Sequence, residues 1–474
     1  MMRSSQSVHP EASQFVCSLT GTTLHCENPH TNGQLTIAVD DILCALPDSS
    51  EDGLGYRVLF LQRPLEETQS NSQRECTHLE CIHTSFLPST ILSQYLCVEI
   101  PSYLTASFRA QGAKIHVILS FGSGTGSAKG IFDNAVQPFL SFLGLADYEV
   151  HETSSSQTIT ELTRSKFLKL SQIGIPQTII LVSGDGGLAD VIDVFYRNKD
   201  LETKQFTPPN IAIMPSGTGN AMANSIGLLD RPISALMTLL RGRPVPIPVF
   251  CASFSPESQY IVEEGHSRIP PNVGCSAKNQ PPRIYGAIVA SWGMHAALVA
   301  DSDTAEYRKF GADRFKMAAK ELLYPSSGTE THKYNGVVTF TMIDRKTGKR
   351  CTEVIKQNQH MYVLATLVSH LEKDFRISPD SKPLDGRMRV IRFGPLPPDQ
   401  AMHLMALAYQ SGKHVHEQAV TYVEVEHVRI EFQEEDERWR RVCVDGKIIA
   451  VQQGGWMEVC KETKHLLNLI TCTP

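Results

Sequence analysis

Two short glycine-rich segments contain the residues of this chain whose types and spacing could bind a phosphate. Residues 183–187 read Ser-Gly-Asp-Gly-Gly, and residues 215–220, about thirty positions further on, read Pro-Ser-Gly-Thr-Gly-Asn. Glycine allows positive φ and lets the backbone approach an anion without a Cβ in between, while the start of a following helix offers unpaired N–H groups. The pair therefore predicts a polyphosphate site.

A third glycine-rich segment lies upstream, where residues 117–128 read Val-Ile-Leu-Ser-Phe-Gly-Ser-Gly-Thr-Gly-Ser-Ala. Taken alone, its Gly-x-Gly match is a weak signal that fits a dinucleotide fingerprint or a plain loop. It lacks the P-loop pattern that ends in Gly-Lys-Ser/Thr, so the phosphates would be held by another device. Three such segments in similar positions favour a nucleotide site over three unrelated loops.

Asp185 is the candidate for acid–base chemistry, because it lies between the glycines of residues 183–187. Aspartate is also common in tight turns, where its role is only structural. Beside a polyphosphate, however, a carboxylate can accept the proton of an attacking hydroxyl or help to place Mg²⁺ through water. We therefore assign Asp185 to catalysis.

Strand and helix patterns alternate around these segments. Residues 178–182 are continuously apolar, which is typical of a strand buried on both faces, and Leu188, Val191 and Phe195 then recur at helical spacing. Such alternation over residues 110–250 predicts parallel βαβ units, whose ligands bind at the carboxyl ends of the strands. All three glycine segments follow predicted strands.

Three further regions complete the predicted organisation. Residues 1–105 hold β-rich runs such as 56–60 and 96–100, which indicate a small β-rich N-terminal extension. Residues 252–283 are rich in Ser, Pro and Gly and predict a loop insertion. Residues 284–474 carry alternating β runs and predict an antiparallel sandwich. The predicted fold class is an α/β nucleotide-binding domain with a parallel sheet, followed by a β-rich antiparallel sandwich domain.

Composition agrees with a soluble enzyme of more than one domain. The 474 residues are 41% hydrophobic and 20% charged, and the formal net charge of −6 gives no reason to expect a nucleic-acid partner. The twelve cysteines form no Cys-x-x-Cys pair and no signal-peptide pattern opens the chain, which favours reduced thiols and a cytoplasmic location. No apolar run predicts a transmembrane segment, so a lipid would be reached by peripheral association with a membrane surface.

Together the three glycine segments resemble the diacylglycerol kinase catalytic domain of lipid kinases. That family has a strand ending in Asn-Pro before a Gly-rich turn, then a Gly-Asp-Gly turn and a Pro-x-Gly-Thr/Ser-Gly-Asn turn. Within the family the resemblance leans toward sphingosine kinases, because of Ser183, of Ala221 after Asn220, and of the Trp, Asp, Tyr-Arg and Arg-Phe positions in residues 291–315. It covers roughly residues 110–460.

The resemblance implies a role for each matching position. Asp185 would be the catalytic residue, and Arg308 and Arg314 would neutralise phosphate charge. Asp301, together with Ser183, would bind the amine and hydroxyl head of a sphingoid base. Because this stretch is about two residues longer than in the animal enzymes of the family, Asp303 is the alternative to Asp301. Nucleotide contacts are implied for Ser120, Gly122, Gly124, Gly126, Thr153, Gly184, Gly186, Ser216, Gly217, Thr218, Gly219, Asn220, Arg308, Arg314, Asp445 and Gly446.

Four positions depart from the family pattern. Ser120 and Phe121 stand where the family has Asn-Pro, Gly187 stands where it has Thr or a bulky apolar residue, and Lys447 replaces a Glu that follows Asp-Gly. We expect a looser turn at Gly187. The Asp-Gly pair at residues 445–446 is also a strong signal for a two-residue hairpin turn, so a purely structural role stays open there.

The resemblance implies an ATP-dependent lipid kinase that phosphorylates the primary hydroxyl of a sphingoid long-chain base. ATP and Mg²⁺ would be its cofactors, and the lipid substrate would lie at a membrane surface. No side chain is assigned as a direct metal ligand, because Mg²⁺ would bind with ATP near Asp185. The second domain would form the lipid pocket, and the N-terminal extension would be pleckstrin-homology-like or a plain β appendage. The sequence leaves open whether the protein forms a homodimer.

Other functions also stay open at this point. A diacylglycerol or ceramide kinase would use the same site, but Asp301 would have no ammonium partner. NAD kinases and phosphofructokinases share a Gly-Gly-Asp-Gly turn and act on soluble substrates, and residues 292–315 argue against them by resemblance. A catalytically silent lipid-binding scaffold would explain the four departures, whereas the presence of Asp185 and Asn220 argues for an enzyme.

Overall fold

A computed structural model describes residues 14–50, 53–63, 77–105, 112–124, 126–198, 205–270, 281–311, 313–344 and 346–472. Within these ranges the strands form four sheets. None of the helices in the described ranges is long and apolar enough to cross a membrane. The α-helices are Ser89–Tyr95, Ala128–Ile131, Gln137–Phe142, Thr158–Leu162, Leu168–Gln172, Asp185–Arg197, Ala221–Ser225, Ser234–Arg241, Met294–Ser302, Ala305–Arg308, Asp313–Leu323 and Pro398–Ala408.

The N-terminal region forms one six-stranded sheet with its own apolar core. In spatial order its strands are Gln34–Ala38, Thr23–Glu27, Gln14–Thr20, His78–Thr84, Gly53–Gln62 and Ile42–Ser50. The predicted strand at 56–60 is therefore confirmed. The one predicted at 96–100 is wrong, because the chain leaves the helix Ser89–Tyr95 and makes only a single bridge, from Leu96 to Ala45. A pleckstrin-homology-like character of this region stays a prediction.

The central sheet is parallel and buried. Its strands, in spatial order, are Arg243–Pro246, Asn468–Thr471, Asn210–Pro215, Gln177–Ser183, Lys114–Leu119 and Glu149–Glu152. All neighbours are parallel except the edge pair Arg243–Pro246 and Asn468–Thr471. Every residue of Gln177–Ser183 is buried, because helices cover both faces of a parallel sheet. The predicted α/β architecture with a parallel sheet is thus present.

Two antiparallel sheets make up the β-rich part that follows. The first contains Arg283–Gly286, Phe250–Phe254, Trp456–Lys461, His427–Phe432, Tyr334–Ile343 and Arg350–Val354, with Gln359–His360 beside Tyr334–Ile343. The second contains Ser267–Ile269, Gln259–Val262, Lys447–Ala450, Arg441–Val444, Val289–Gly293, Tyr362–Thr366, Arg389–Phe393 and Val420–Glu424. Trp292 of the second sheet is fully buried and its ring contacts Phe432 of the first. The two sheets therefore share one core.

The predicted boundaries need correction at both ends of the sandwich. Residues 252–283 are not simply a loop insertion, because they contain the strands Gln259–Val262 and Ser267–Ile269, and Gln259–Val262 pairs with Lys447–Ala450. These strands are only four and three residues long and lie among polar residues, so neither gives an apolar run long enough to predict a strand. Nor does the region 284–474 belong wholly to the sandwich, since Asn468–Thr471 inserts into the parallel sheet.

The C-terminal strand should therefore stabilise the parallel sheet. Leu469 is fully buried there, and Leu469→Ala is expected to lower the free energy of unfolding by about 2–5 kcal/mol, because it leaves a cavity. Val354→Ala is a matched control at a side chain that is 56% exposed, where a change within about 0.5 kcal/mol is expected. Urea unfolding followed by far-ultraviolet circular dichroism measures both. Equal effects of the two variants would contradict the assignment.

Candidate active site

The three glycine segments meet at one edge of the parallel sheet. The strands that precede them, Lys114–Leu119, Gln177–Ser183 and Asn210–Pro215, are neighbours, and each turn begins where its strand ends. A Cβ added to Gly217 would lie 2.5 Å from the Cα of Gly184, and one added to Gly124, where φ is +56°, would collide with the backbone of the third turn. The turns thus pack backbone against backbone, which only glycine permits.

Side-chain hydrogen bonds fix the shapes of these turns. Ser123 Oγ accepts from the amide of Gly184 at 2.8 Å, which joins the first turn to the second. Asn220 closes the third turn on itself, since its Oδ1 accepts from Gly217 N at 2.9 Å and its Nδ2 donates to Gly217 O at 2.8 Å. Thr153 Oγ1 accepts from Phe121 N at 3.1 Å. Thr153 and Asn220 therefore shape the backbone around the site.

The turns face a cleft of about 2770 Å³ between the parallel sheet and the sandwich. Most of the residues predicted to be functional lie in its wall, whereas Gly126, Ser216 and Asn220 do not. Those in the wall are Ser120, Gly122, Gly124, Thr153, Ser183, Gly184, Asp185, Gly186, Gly217, Thr218, Gly219, Asp301, Arg308, Arg314, Asp445 and Gly446. The tertiary structure thus brings together positions that are more than 300 residues apart in the chain.

Asp185 joins two of the glycine turns. It is the first residue of the helix Asp185–Arg197, and its carboxylate accepts from Ala221 N at 2.7 Å and from Met222 N at 3.1 Å, the first amides of the helix Ala221–Ser225. Burial raises the pKa of Asp185, although these two hydrogen bonds favour the ionised form. A carboxylate whose pKa is raised in this way is a better proton acceptor when ionised.

Asp445 links a hairpin turn of the sandwich to the backbone of residues 287–289. It lies in the hairpin turn between Arg441–Val444 and Lys447–Ala450, with φ at +46°. Its carboxylate accepts from the amides of Ala287 at 2.7 Å and Val289 at 2.7 Å, and from Ile288 between them. Burial raises the pKa of Asp445 to about 6 against these hydrogen bonds, and the negative charge of Asp185 adds to the rise. The hairpin role is present, and a nucleotide contact stays a prediction.

Lys447, one of the four departures, is paired with acidic residues that the sequence reasoning missed. Its Nζ lies 2.8 Å from Asp190 Oδ1 and 3.9 Å from Asp193 Oδ2. Burial alone would favour the neutral amine, but the two carboxylates outweigh it and raise the pKa of Lys447. Both acids follow Asp185 on one helix, at positions five and eight residues further on, and this spacing was the signal available in the sequence.

Gly187, another departure, does not loosen its turn. It is buried in the first turn of the helix Asp185–Arg197, and a Cβ there would collide with the side chain of Ser183 and come within 3.1 Å of Ile159 Cδ1. The expectation of a looser turn is therefore wrong. The side chain of Ser183 thus occupies the space that a side chain at position 187 would need.

The two predicted phosphate-binding arginines converge on Asp303. Arg308 Nε donates to Asp303 Oδ1 at 3.0 Å, and Arg314 Nη1 lies 3.9 Å from the same oxygen. Arg314 is mostly buried, its Nε has no hydrogen-bond partner among the described residues, and burial lowers its pKa. A buried guanidinium with an unused donor is suited to an anion that enters the cleft.

Asp301 lies in the cleft wall but is already paired. Its Oδ1 accepts from Arg441 Nη2 at 2.7 Å and its Oδ2 accepts from Arg438 Nη2 at 3.1 Å. Neither arginine was singled out in the sequence, where the only signal was the basic segment Arg-Trp-Arg-Arg at 438–441. Its contact with a substrate amine stays a prediction.

Apolar side chains line another part of the cleft. They project from the helices Met294–Ser302, Asp313–Leu323 and Pro398–Ala408 and from residues 371–375. The set includes Leu298, Phe315, Leu371, Phe375, Met402 and Met405. A wall of this kind can bury a hydrocarbon chain, with the flexible methionines adapting to its shape.

Comparison with known proteins shows which family this part of the chain resembles. The model of the diacylglycerol kinase catalytic domain matches residues 114–252, the part that holds all three glycine turns. Among solved structures, a diacylglycerol kinase from Bacillus anthracis str. Sterne is 12% identical with a TM-score of 0.43, and the match covers 76% of this chain and 96% of that one.

Curated relatives include several sphingosine kinases. Sphingosine kinase 2 of Arabidopsis thaliana is 23% identical over 248 residues, which cover 52% of this chain and 43% of the relative. Sphingosine kinase 1 of Mus musculus is 22% identical over 329 residues, which cover 64% of this chain and 78% of the relative. Sphingosine kinase B of Dictyostelium discoideum is 43% identical over 72 residues, 9% of its length. The chain spans 9–43% of the length of the Dictyostelium and plant relatives.

The close approach of the glycine turns predicts a sharp difference between two glycines. Gly217→Ala should lower the free energy of unfolding by about 1–3 kcal/mol, because its Cβ would overlap Gly184. Gly186→Ala is the matched control, since a Cβ there meets no atom within 4 Å, and we expect it to leave the melting temperature unchanged or higher. Differential scanning fluorimetry compares them. A Gly217→Ala variant as stable as Gly186→Ala would contradict the packing.

The raised pKa of Asp445 predicts a pH dependence of stability. Its pKa is about 6 in the folded protein against an ordinary 3.8, so the folded state holds this proton more tightly. The resulting stabilisation is complete below about pH 4 and is lost as pH rises through 6, a change on the order of 3 kcal/mol.

The variant Asp445→Asn isolates this effect, because it keeps the left-handed turn but cannot titrate. We expect the free energy of unfolding of the unmodified protein, minus that of the variant, to fall between pH 4 and pH 6.5. Urea unfolding at several pH values measures the difference. A difference that is constant or grows with pH would show that Asp445 is not a buried acid of raised pKa.

Proposed function

We propose, from the match of residues 114–252 to the diacylglycerol kinase catalytic domain, that the protein is an ATP-dependent lipid kinase that phosphorylates the primary hydroxyl of a sphingoid long-chain base. The observation that carries the proposal is the position of Asp185. This partly buried carboxylate joins two glycine turns and lies in the wall of a cleft that also has an apolar surface. A proton acceptor, a phosphate-binding backbone and a lipid-binding surface thus border the same space.

ATP would bind at the glycine-turn end of the cleft. Added Cβ atoms at Gly122 and Gly186 would meet no atom within 4 Å, so the backbone of these turns borders open space that a phosphate could occupy. Arg314 has an unused Nε donor, and Arg308 is half exposed, so both guanidiniums could turn from Asp303 toward a phosphoryl group. These groups fit an anion of high charge.

The residues near Asp185 also fit Mg²⁺. Each oxygen of this carboxylate accepts one backbone amide and keeps lone-pair capacity for a water molecule of a hydrated ion. When bound, Mg²⁺ would neutralise charge on the phosphates and hold them in a reactive orientation. By contrast, the carboxylate of Asp445 is occupied by three amides, which makes Asp185 the better candidate.

In the transfer step the lipid hydroxyl oxygen attacks the γ-phosphorus of ATP. The bond between this oxygen and phosphorus forms, the bond between the γ-phosphorus and the β–γ bridging oxygen breaks, and ADP leaves. The hydroxyl proton passes to the Asp185 carboxylate. The amides of Ala221 and Met222 keep that carboxylate oriented, and Arg308 and Arg314 stabilise the charge that develops on the phosphoryl oxygens.

The choice of a sphingoid base depends on the residues that would bind its head group and on the named relatives. Asp301 would provide negative charge for the amine of the lipid, although its two oxygens already bind Arg438 and Arg441. Ser183 would contribute at the hydroxyl end. The relatives named as sphingosine kinases agree with this choice. Diacylglycerol and ceramide are the alternative substrates, and in either case the lipid would come from a membrane surface.

We test the proposal by incubating the full chain with Mg²⁺ and labelled ATP in mixed micelles that contain sphingosine, phytosphingosine, diacylglycerol or ceramide. Label is expected on the sphingoid bases. Asp185→Asn should lower the transfer rate about 10²–10⁴-fold, because the amide cannot accept the hydroxyl proton. Asp133→Asn is the matched control, since Asp133 pairs with Lys129 outside the cleft wall, and it should retain full activity.

Each other outcome would overturn one part of the proposed function. Label only on diacylglycerol or ceramide would reject the sphingoid base and the role of Asp301. A fully active Asp185→Asn would reject the proton acceptor. No transfer to any lipid by the folded protein would reject the kinase and favour a silent lipid-binding scaffold or an enzyme that acts on a soluble substrate.

A further inference from the structure

Three potential metal ligands lie together on the parallel sheet, outside the wall of the cleft. His116 belongs to the strand Lys114–Leu119, and Glu149 and His151 belong to the neighbouring edge strand Glu149–Glu152. In the parallel register His116 lies opposite Glu149, and His151 is two residues further along the edge strand. Because side chains alternate along a strand, Glu149 and His151 point to the same face of the sheet.

The three ligand atoms form a nearly regular triangle. His116 Nδ1 lies 3.3 Å from His151 Nε2, and Glu149 Oε2 lies 3.7 Å from each of these nitrogens. In the plane of this triangle, whose sides are 3.3, 3.7 and 3.7 Å, the point equidistant from the three ligand atoms is about 2.1 Å from each. This value matches the Zn–N and Zn–O distances of protein sites. We propose that His116, Glu149 and His151 bind a divalent transition-metal ion of the zinc class.

One of the three ligands is buried, and the other two are partly exposed, so an ion could enter from the solvent side. The His116 side chain is fully buried against the ring of Phe167, whereas those of His151 and Glu149 are 18% and 42% exposed. The exposed side leaves the fourth coordination position to water, as in sites with two His and one carboxylate.

The ammonium group of Lys166 would compete with a metal ion for the carboxylate of Glu149. Its Nζ is hydrogen-bonded to Glu149 Oε2, the same oxygen that would ligate the metal, so the ammonium balances the carboxylate charge when no ion is bound. Binding would displace Lys166 to the other oxygen. His116 Nε2 also has no hydrogen-bond partner among the described residues, so the support that usually raises the affinity of a ligating histidine is absent. Micromolar affinity is therefore expected.

The site would act on the cleft through the edge strand. Thr153 follows this strand directly, and its Oγ1 holds the amide of Phe121 at the start of the first glycine turn. An ion that ties His116 to Glu149 and His151 would fix the edge strand against its neighbour two residues before Thr153. The ion would therefore act by holding the edge strand in place, and its binding can be measured independently of the proposed kinase activity.

Titration of the EDTA-treated full chain with Zn²⁺, by isothermal calorimetry, tests the proposal without any nucleotide or lipid. One ion per chain is expected, and Co²⁺ should give the visible absorption of a four-coordinate site. His151→Gln and Glu149→Gln should each weaken binding at least tenfold. His427→Gln is the matched control, because among the described residues His427 pairs with a single acidic side chain, Glu458, at 3.9 Å, and its loss should leave binding unchanged.

Lys166→Met tests the competition directly. Removing the ammonium should strengthen Zn²⁺ binding severalfold and raise the melting temperature only when Zn²⁺ is present. Circular dichroism of each metal-free variant establishes that it is folded. The proposal is overturned if neither the unmodified protein nor Lys166→Met shows saturable binding, or if His151→Gln binds as tightly as His427→Gln. Either result would leave the Lys166 ammonium as the occupant of this cluster.

Discussion

The close approach of three backbone turns at one edge of the parallel sheet is the constraint on which the rest of this structure depends. Gly184 and Gly217 lie so near each other that neither tolerates a Cβ, and Gly124 packs onto the third turn in the same way. Such contacts are possible only because the three strands that lead into the turns are neighbours in a parallel sheet. The three turns thereby border one cleft.

Carboxylates hold each part of the cleft together, and Asp190 connects the parallel-sheet part to the sandwich through Lys447. Removing a carboxylate from water is costly unless hydrogen bonds or a cation replace the lost hydration. Asp185 is compensated by two amides that begin a helix, and Asp445 by three amides of the strand region that faces it. Asp190 is compensated instead by Lys447 across the cleft wall. Each of these interactions joins residues that are distant in the chain, so together they stabilise both walls of the cleft.

Two of the departures from the family pattern have partners within this structure. Lys447 replaces an acid, and the acidic side chains of Asp190 and Asp193 surround its ammonium. Gly187 replaces a larger residue, and the side chain of Ser183 fills the space. These contacts preserve packing and charge balance at the two changed positions, which weakens the argument that the departures indicate a silent scaffold. Nothing in the structure explains Phe121 in place of proline.

The sequence by itself determined the features that depend on neighbouring residues. Glycines after apolar strands, Asp185 between them and the alternation of strand and helix are local patterns, and the parallel sheet follows from them. Only the tertiary structure decided which distant groups meet. It placed the strand Asn468–Thr471 in the parallel sheet, paired Asp301 with two arginines and joined His116 to the edge strand. Hydrogen-bond and charge partners depend on which strands become neighbours, and local residue patterns do not encode that choice.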